Sequence, residues 1–168
     1  MWLGERRAKL ISMSRKKIIL FALLIAFIAI QFVRPARNYS GQASLDYIGR
    51  VFTVPKKVDA ILKSSCYDCH SNNTRYPWYA EIQPSGWWLA YHIKKGKSEL
   101  NFDEFGTYSK RRQDSKMKSI ENSIKDGTMP LPSYLWIHKN AKLTKEDKSL
   151  LLNWVKKTRD SLSLNIRR

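Results

Sequence analysis

Cysteine is nearly absent from this 168-residue chain: Cys66 and Cys69 are the only two, and the histidines number three. A structural zinc centre ordinarily takes four ligands in two separated pairs. One pair here would have to recruit His92 or His138 from far along the chain, and Cys69 with its neighbour His70 makes an awkward couple on one metal. A redox dithiol comes with a βαβ pattern around it, and no such pattern surrounds these thiols. Acidic residues are scarce too, 14 Asp/Glu against 31 Lys/Arg, for a formal charge of +17. Nucleic acid is a standard partner for such a surplus, but no recognition motif accompanies it, so none is expected. An acidic protein partner or anionic lipid fits the charge, and a solvated basic surface is the plain alternative.

The two cysteines stand in Cys66-Tyr67-Asp68-Cys69-His70. C-x-x-C-H is the attachment signature of c-type haem. Two thiols three positions apart on one helical turn can add to the two vinyl groups of a single porphyrin, and the adjacent imidazole then lies under the iron. The expected cofactor is one covalently attached haem c, with Cys66 and Cys69 as its thioether links and His70 as proximal iron ligand. Both cysteines are thereby used, leaving none for a disulfide. With a single such motif, conduction through several haems within the chain is excluded.

Ahead of the motif, Arg6, Arg7, Lys9, Arg15, Lys16 and Lys17 precede an uncharged run from Ile18 to Val33, broken only by the polar Gln31. Sixteen residues at about 1.5 Å each reach about 24 Å, a little short of a ~30 Å hydrocarbon layer. Ser12 to Ser14 and snorkelling basic side chains can cover the difference. The positive flank keeps the N-terminus inside. No A-x-A cleavage site and no lipid-accepting cysteine follow the run, which favours an uncleaved anchor over a cleaved signal peptide. Met13, directly before Ser-Arg-Lys-Lys, also makes a sensible start. The expectation is a single pass through a bacterial inner membrane with the domain on the periplasmic side. Its segments are a basic cytoplasmic stretch (1–17), a transmembrane helix (18–34), a linker (35–52), a haem domain (53–158) and a basic tail (159–168).

Within the domain, Val58, Ile61 and Leu62 form an apolar stripe at helical spacing, on a helix that starts near Pro55 and runs into Cys66. Pro84 to Lys95 reads as a second helix ended by Gly96, with Trp88 and His92 one turn apart. Met117, Ile120 and Ile124 mark a third, from Arg112 to Lys125, closed by Asp126-Gly127. Thr144 with Glu146 and Asp147 reads as the start of a fourth, whose face carries Leu151, Trp154 and Val155. Phe102 and Phe105 read as packing residues, Trp78, Trp87 and Trp88 as core or as walls of a porphyrin pocket.

The block CYDCHSNNTRYPWYAEIQPSGWWLAYHIKKGKSELNF, beginning at Cys66, and the later GTMPLPSYLWIHKNAKLTKEDKSLLLNW strongly resemble the bacterial haem-binding domain family of small single-haem c-type proteins. The resemblance covers roughly residues 50–157. It implies an all-α, cytochrome-c-like fold around one haem, exported and tethered to the membrane. His92 and His138 match positions that recur in the family. For His92 three roles stay open: iron ligand, donor to a haem propionate, or structural histidine. His138 is placed to bond a propionate or to pin the distal loop.

Gly127-Thr128-Met129-Pro130 follows the third helix and resembles the distal ligand loop of class I cytochromes c. A thioether is a soft, neutral ligand that favours ferrous iron, and proline stiffens the loop presenting it. Met129 is the expected sixth ligand; a methionine filling a gap is the alternative. The eight cations between Lys94 and Lys118 would steer an acidic redox partner if they ring the haem edge. The expected function is single-electron transfer by a membrane-anchored mono-haem c-type cytochrome, with no catalytic residues. A haem peroxidase with a displaceable sixth ligand and a haem-based gas or redox sensor are the rival readings.

Overall fold

The computed structural model describes residues 14–41 and 44–166. Expectations that fall on residues 1–13, Met13 included, lie outside the described residues. In chain order the α-helices are α1 (Arg15–Ile30), α2 (Ile48–Val51), α3 (Lys56–Ser65), α4 (Tyr67–His70), α5 (Ser85–Glu99), α6 (Lys110–Asp126), α7 (Pro132–Ile137) and α8 (Lys145–Ile166). Three 3₁₀ turns lie between them, at Trp78–Glu81, Phe102–Thr107 and Lys139–Ala141. The domain is all-α. Among the described residues the β pairing is one isolated antiparallel bridge, Tyr39 with Asn73.

Helical spacing of apolar side chains builds the main core. Val58, Ile61 and Leu62 of α3, Met117 and Ile124 of α6, and Leu151, Trp154, Val155 and Leu162 of α8 are all buried in it, with Phe102 and Phe105 between them. The longest seam runs between α6 and α8. It is reinforced by Arg159, which donates to Asp114 and Glu121 at 2.9 Å each. Both helices start on side-chain caps, which satisfy amides that have no partner in the first turn. Ser109 accepts from the Arg112 amide, and Thr144 and Asp147 bond reciprocally. Gly127 ends α6 in the left-handed region, at φ 66°, where a Cβ would be strained. A second, smaller core gathers Tyr79, Ala80, Leu89 and Ile93.

Several expectations need correction. The span expected over 18–34 is a 16-residue helix that stops at Ile30, where Gln31 turns and its side chain bonds the Gln83 backbone. No described helix is long and apolar enough to cross a membrane. The stretch expected to be a linker contributes to the core through α2, because Ile48 is fully buried. Residues 159–166 are not a tail: Thr158 and Leu162 continue the buried stripe of α8 one turn at a time. Trp87 and Trp88 are exposed, because the buried face of α5 is Gly86, Leu89 and Ile93, and Trp78, on the first 3₁₀ turn, is exposed as well.

Met117 is fully enclosed at the α6–α8 seam. Met117→Ala is expected to cost about 2–5 kcal/mol by leaving a cavity there, whereas Trp136→Ala, at an exposed position, stays within about 0.5 kcal/mol. Equilibrium denaturation of the two variants checks this.

Candidate functional site

The motif turn lies between the two cores. Cys66 and Tyr67 pack against the larger one, Cys69 against the smaller. Helix α3 stops at Ser65 because Cys66 leaves helical geometry (φ −129°), and α4 restarts the turn, with the Cys69 and His70 amides donating to the Cys66 carbonyl. The two sulfurs thus stand on the walls of one cleft.

Helix α5 closes that cleft from the side, at a distance only glycine allows. A Cβ on Gly96 would lie 2.7 Å from the Cys69 carbonyl oxygen. Gly96 therefore does not end α5, which continues to Glu99; it is the point where two backbones touch. Just beyond α5, the Leu100 carbonyl accepts from His70 Nδ1 at 3.0 Å. A carbonyl can only accept, so Nδ1 carries the proton and Nε2 keeps a free lone pair. Burial lowers the His70 pKa, the Leu100 bond opposing it, so the ring is neutral at pH 7. Such a bond to the remote nitrogen is how metal-ligating histidines are oriented.

From the other side comes the Met129 loop. The Thr128 and Met129 amides both donate to the Ser123 carbonyl, fixing the loop to the end of α6. Further on, Tyr134 of α7 donates to Asp68 at 2.9 Å, tying the segment that presents Met129 back to the motif. Asp68 also accepts from the Arg75 backbone and guanidinium at 3.0–3.2 Å, so one carboxylate links three segments.

Between these walls lie two adjoining cavities of about 280 and 260 Å³. They share Ser65, Cys66, His70, Glu99, Met129 and Pro130. Cys69, His92, Lys95 and Tyr134 border the first, Leu62, Phe102, Ile120 and Leu143 the second. Cys66, Cys69, His70, Met129 and His92 are thus brought to one cleft, and Met129 is 40% exposed there. His138 is not in its lining: it stacks on Tyr134 and shares a 2.9 Å hydrogen bond with the Tyr79 hydroxyl. His92 meets Trp88 edge-on, ring centres 4.3 Å apart, so the one-turn spacing does place the two rings together.

Sequence reasoning missed Asp68, Tyr134, Glu99 and the contact at Gly96. For the first two no local pattern exists, since they are 66 residues apart. For Gly96 a signal was present: it lies inside a lysine-rich helical run with no stop residue after it.

The donor set, two thiols, one oriented neutral imidazole and one thioether around an apolar slot, suits a haem. It defines a small all-helical haem protein. The family comparison agrees: the haem-binding domain matches over residues 25–157, and the chain belongs to that family. No curated protein and no solved structure matches the chain.

Two outcomes follow from this geometry. Gly96→Ala is expected to push α5 off the motif turn, costing about 1–3 kcal/mol and lowering the haem retained per mole of protein, measured by pigment absorbance. Burial raises the Cys66 thiol to about 12 and the Cys69 thiol to about 11, helped by each one's neighbouring negative charge. Thiolate is the nucleophile, so alkylation of the folded, haem-free chain should keep rising to pH 11 or beyond. The unfolded chain should level off near the ordinary cysteine value of about 8.5; timed labelling with mass spectrometry distinguishes them.

Proposed function

We propose that the domain holds its haem covalently, as haem c, and transfers single electrons from an anchored position at a bacterial inner membrane, facing the periplasm. The observation that carries this reading is the placement of both motif thiols, the His70 ring and Met129 on one slot. Cys66 and Cys69 are the proposed thioether links. His70 would hold the haem iron through Nε2, since Nδ1 is engaged by the Leu100 carbonyl, and Met129 would be the second protein ligand. When bound, the haem iron supplies the one-electron couple.

Met129 is favoured over His92 as sixth ligand because it borders both cavities with His70, whereas His92 borders one and packs on the aromatic rings of its own helix. His92 keeps a place at the haem edge. His138 pins: its bond to Tyr79 and its stack on Tyr134 hold α7, and with it the distal loop. The apolar lining lowers the local dielectric and so tunes the potential. His70 and Met129 together would leave a bound haem iron no open position for substrate, which weighs against the peroxidase reading.

Membrane attachment is proposed from α1, whose side chains from Ile18 to Ile28 are apolar and largely exposed. An exposed apolar surface of this extent marks a membrane or protein contact. Lys116 at the rim of the slot suits an acidic redox partner.

A haem stain after denaturing electrophoresis tests the covalent link: pigment must stay with the chain, and Cys66→Ala/Cys69→Ala must lose it. For the axial assignment, Met129→Ala should abolish the methionine-to-ferric-iron charge-transfer band and lower the reduction potential. An unchanged spectrum rejects Met129 as ligand, and high-spin iron that reacts readily with peroxide in the parent protein would favour the enzyme reading.

A further inference from the structure

We propose that the outward face of α5 is a second lipid contact, which lays the haem domain on the membrane surface beside its anchor; this rests on the seating of α1 in a bilayer. Helix α5 divides sharply. Gly86, Leu89 and Ile93 are buried. Trp87, Trp88, Tyr91, Lys94 and Lys95 recur at i, i+1, i+4, i+7 and i+8, on the opposite side of a 3.6-residue turn. The three aromatic residues of this stripe are 36, 42 and 59% exposed. Large aromatic side chains with a polar tip are the residues that settle at the headgroup level. The lysines complete the pattern, since their stems lie along apolar surface while the ammonium groups reach anionic headgroups.

The connection between α1 and the domain keeps α5 close to the end of α1. No free linker separates them. Gln31 exchanges two hydrogen bonds with the Gln83 backbone, at 2.8 and 3.2 Å. The Trp87 indole donates to the Val33 carbonyl at 2.7 Å, and Arg34 and Arg37 both pair with Glu81. The first turn of α5 is therefore held within a few residues of the end of the apolar helix, at the depth where that helix leaves the hydrocarbon. Farther round α5, His92, Lys95 and Glu99 border the haem slot. The slot thus lies on the flank of a membrane-facing helix.

The test uses the full haem-loaded chain in vesicles of phosphatidylcholine and phosphatidylglycerol in equal parts, with hydroxyl-radical labelling read residue by residue. Trp87, Trp88 and Tyr91 should be protected relative to Leu164, exposed on α8, and Phe21 and Phe27 should be protected with them. Tyr91→Ser/Lys94→Glu should restore labelling at Trp87 and Trp88 by about fivefold or more, the change in a docking equilibrium that one cation near an anionic surface brings. Protected phenylalanines with a fully labelled stripe would overturn the lipid contact, leave α1 as an anchor and free the face for a protein partner. Labelled phenylalanines would refute the anchor and the contact together.

Discussion

Everything at the haem slot depends on how closely α5 can lie against the motif turn. Gly96 meets the Cys69 carbonyl where a methyl group would collide with it. That approach brings the end of α5 under His70, so that the Leu100 carbonyl can take the Nδ1 proton. It also lets Cys69 join the small core built on Leu89 and Ile93 while Cys66 remains in the large one. A wider separation would move the histidine's hydrogen-bond partner away and leave the ring free to rotate. The cost of placing glycine inside a helix, about 1 kcal/mol relative to alanine, is set against a correctly oriented imidazole.

The electrostatics around the slot follow from the same burial. Neutral groups are favoured over charged ones: the thiols are pushed up and the imidazole down, burial being the largest cause in each case. Asp68 borders the first of the two cavities, and its charge is satisfied there by Arg75 and Tyr134. This carboxylate stands between the two motif cysteines in sequence, yet its partners come from the loop after the motif and from α7. A hydrogen-bonded network of this kind, open to solvent at Arg75, fixes geometry more than it adds net stability. Here the geometry it fixes is the spacing between the proximal turn and the loop that carries Met129.

How much of this was legible in the sequence differs by residue. The motif, the stripe on α3 and the Met117–Ile124 helix were readable because each is local: a fixed spacing or a 3.6-residue period reports its own structure. Thr144 with Asp147 and Gly127 announced their caps for the same reason. Buried phenylalanines at 102 and 105 followed from hydrophobicity alone. What escaped depends on partners distant in the chain. Asn38, in a stretch with no periodicity, bonds the Ser71 carbonyl, the Thr74 hydroxyl and Lys97, so a polar segment that reads as a linker is stitched to the loop after the motif. Gly96 reads as a stop because glycine ends helices more often than it permits contacts between them. The tryptophans read as core because of their size; the exposure of Trp87 and Trp88 follows from the opposite face of α5, with Gly86, Leu89 and Ile93, being the buried one.

The bracing of the slot also bears on the electron transfer proposed for it. The turn Cys66–His70 and the Met129 loop both line the slot, each braced by its own core or cap. A braced, apolar site of this kind would keep reorganisation small around a bound haem, which supports the one-electron transfer proposed for it. The segment from Gln31 to Arg37 is bonded to Gln83, Trp87 and Glu81 rather than free, so the orientation of the slot relative to α1 is part of the fold. A carrier on a long tether finds partners by swinging over a wide volume. With α1 seated in a bilayer as proposed, the slot would instead keep one height above it, and a partner would have to come to that height.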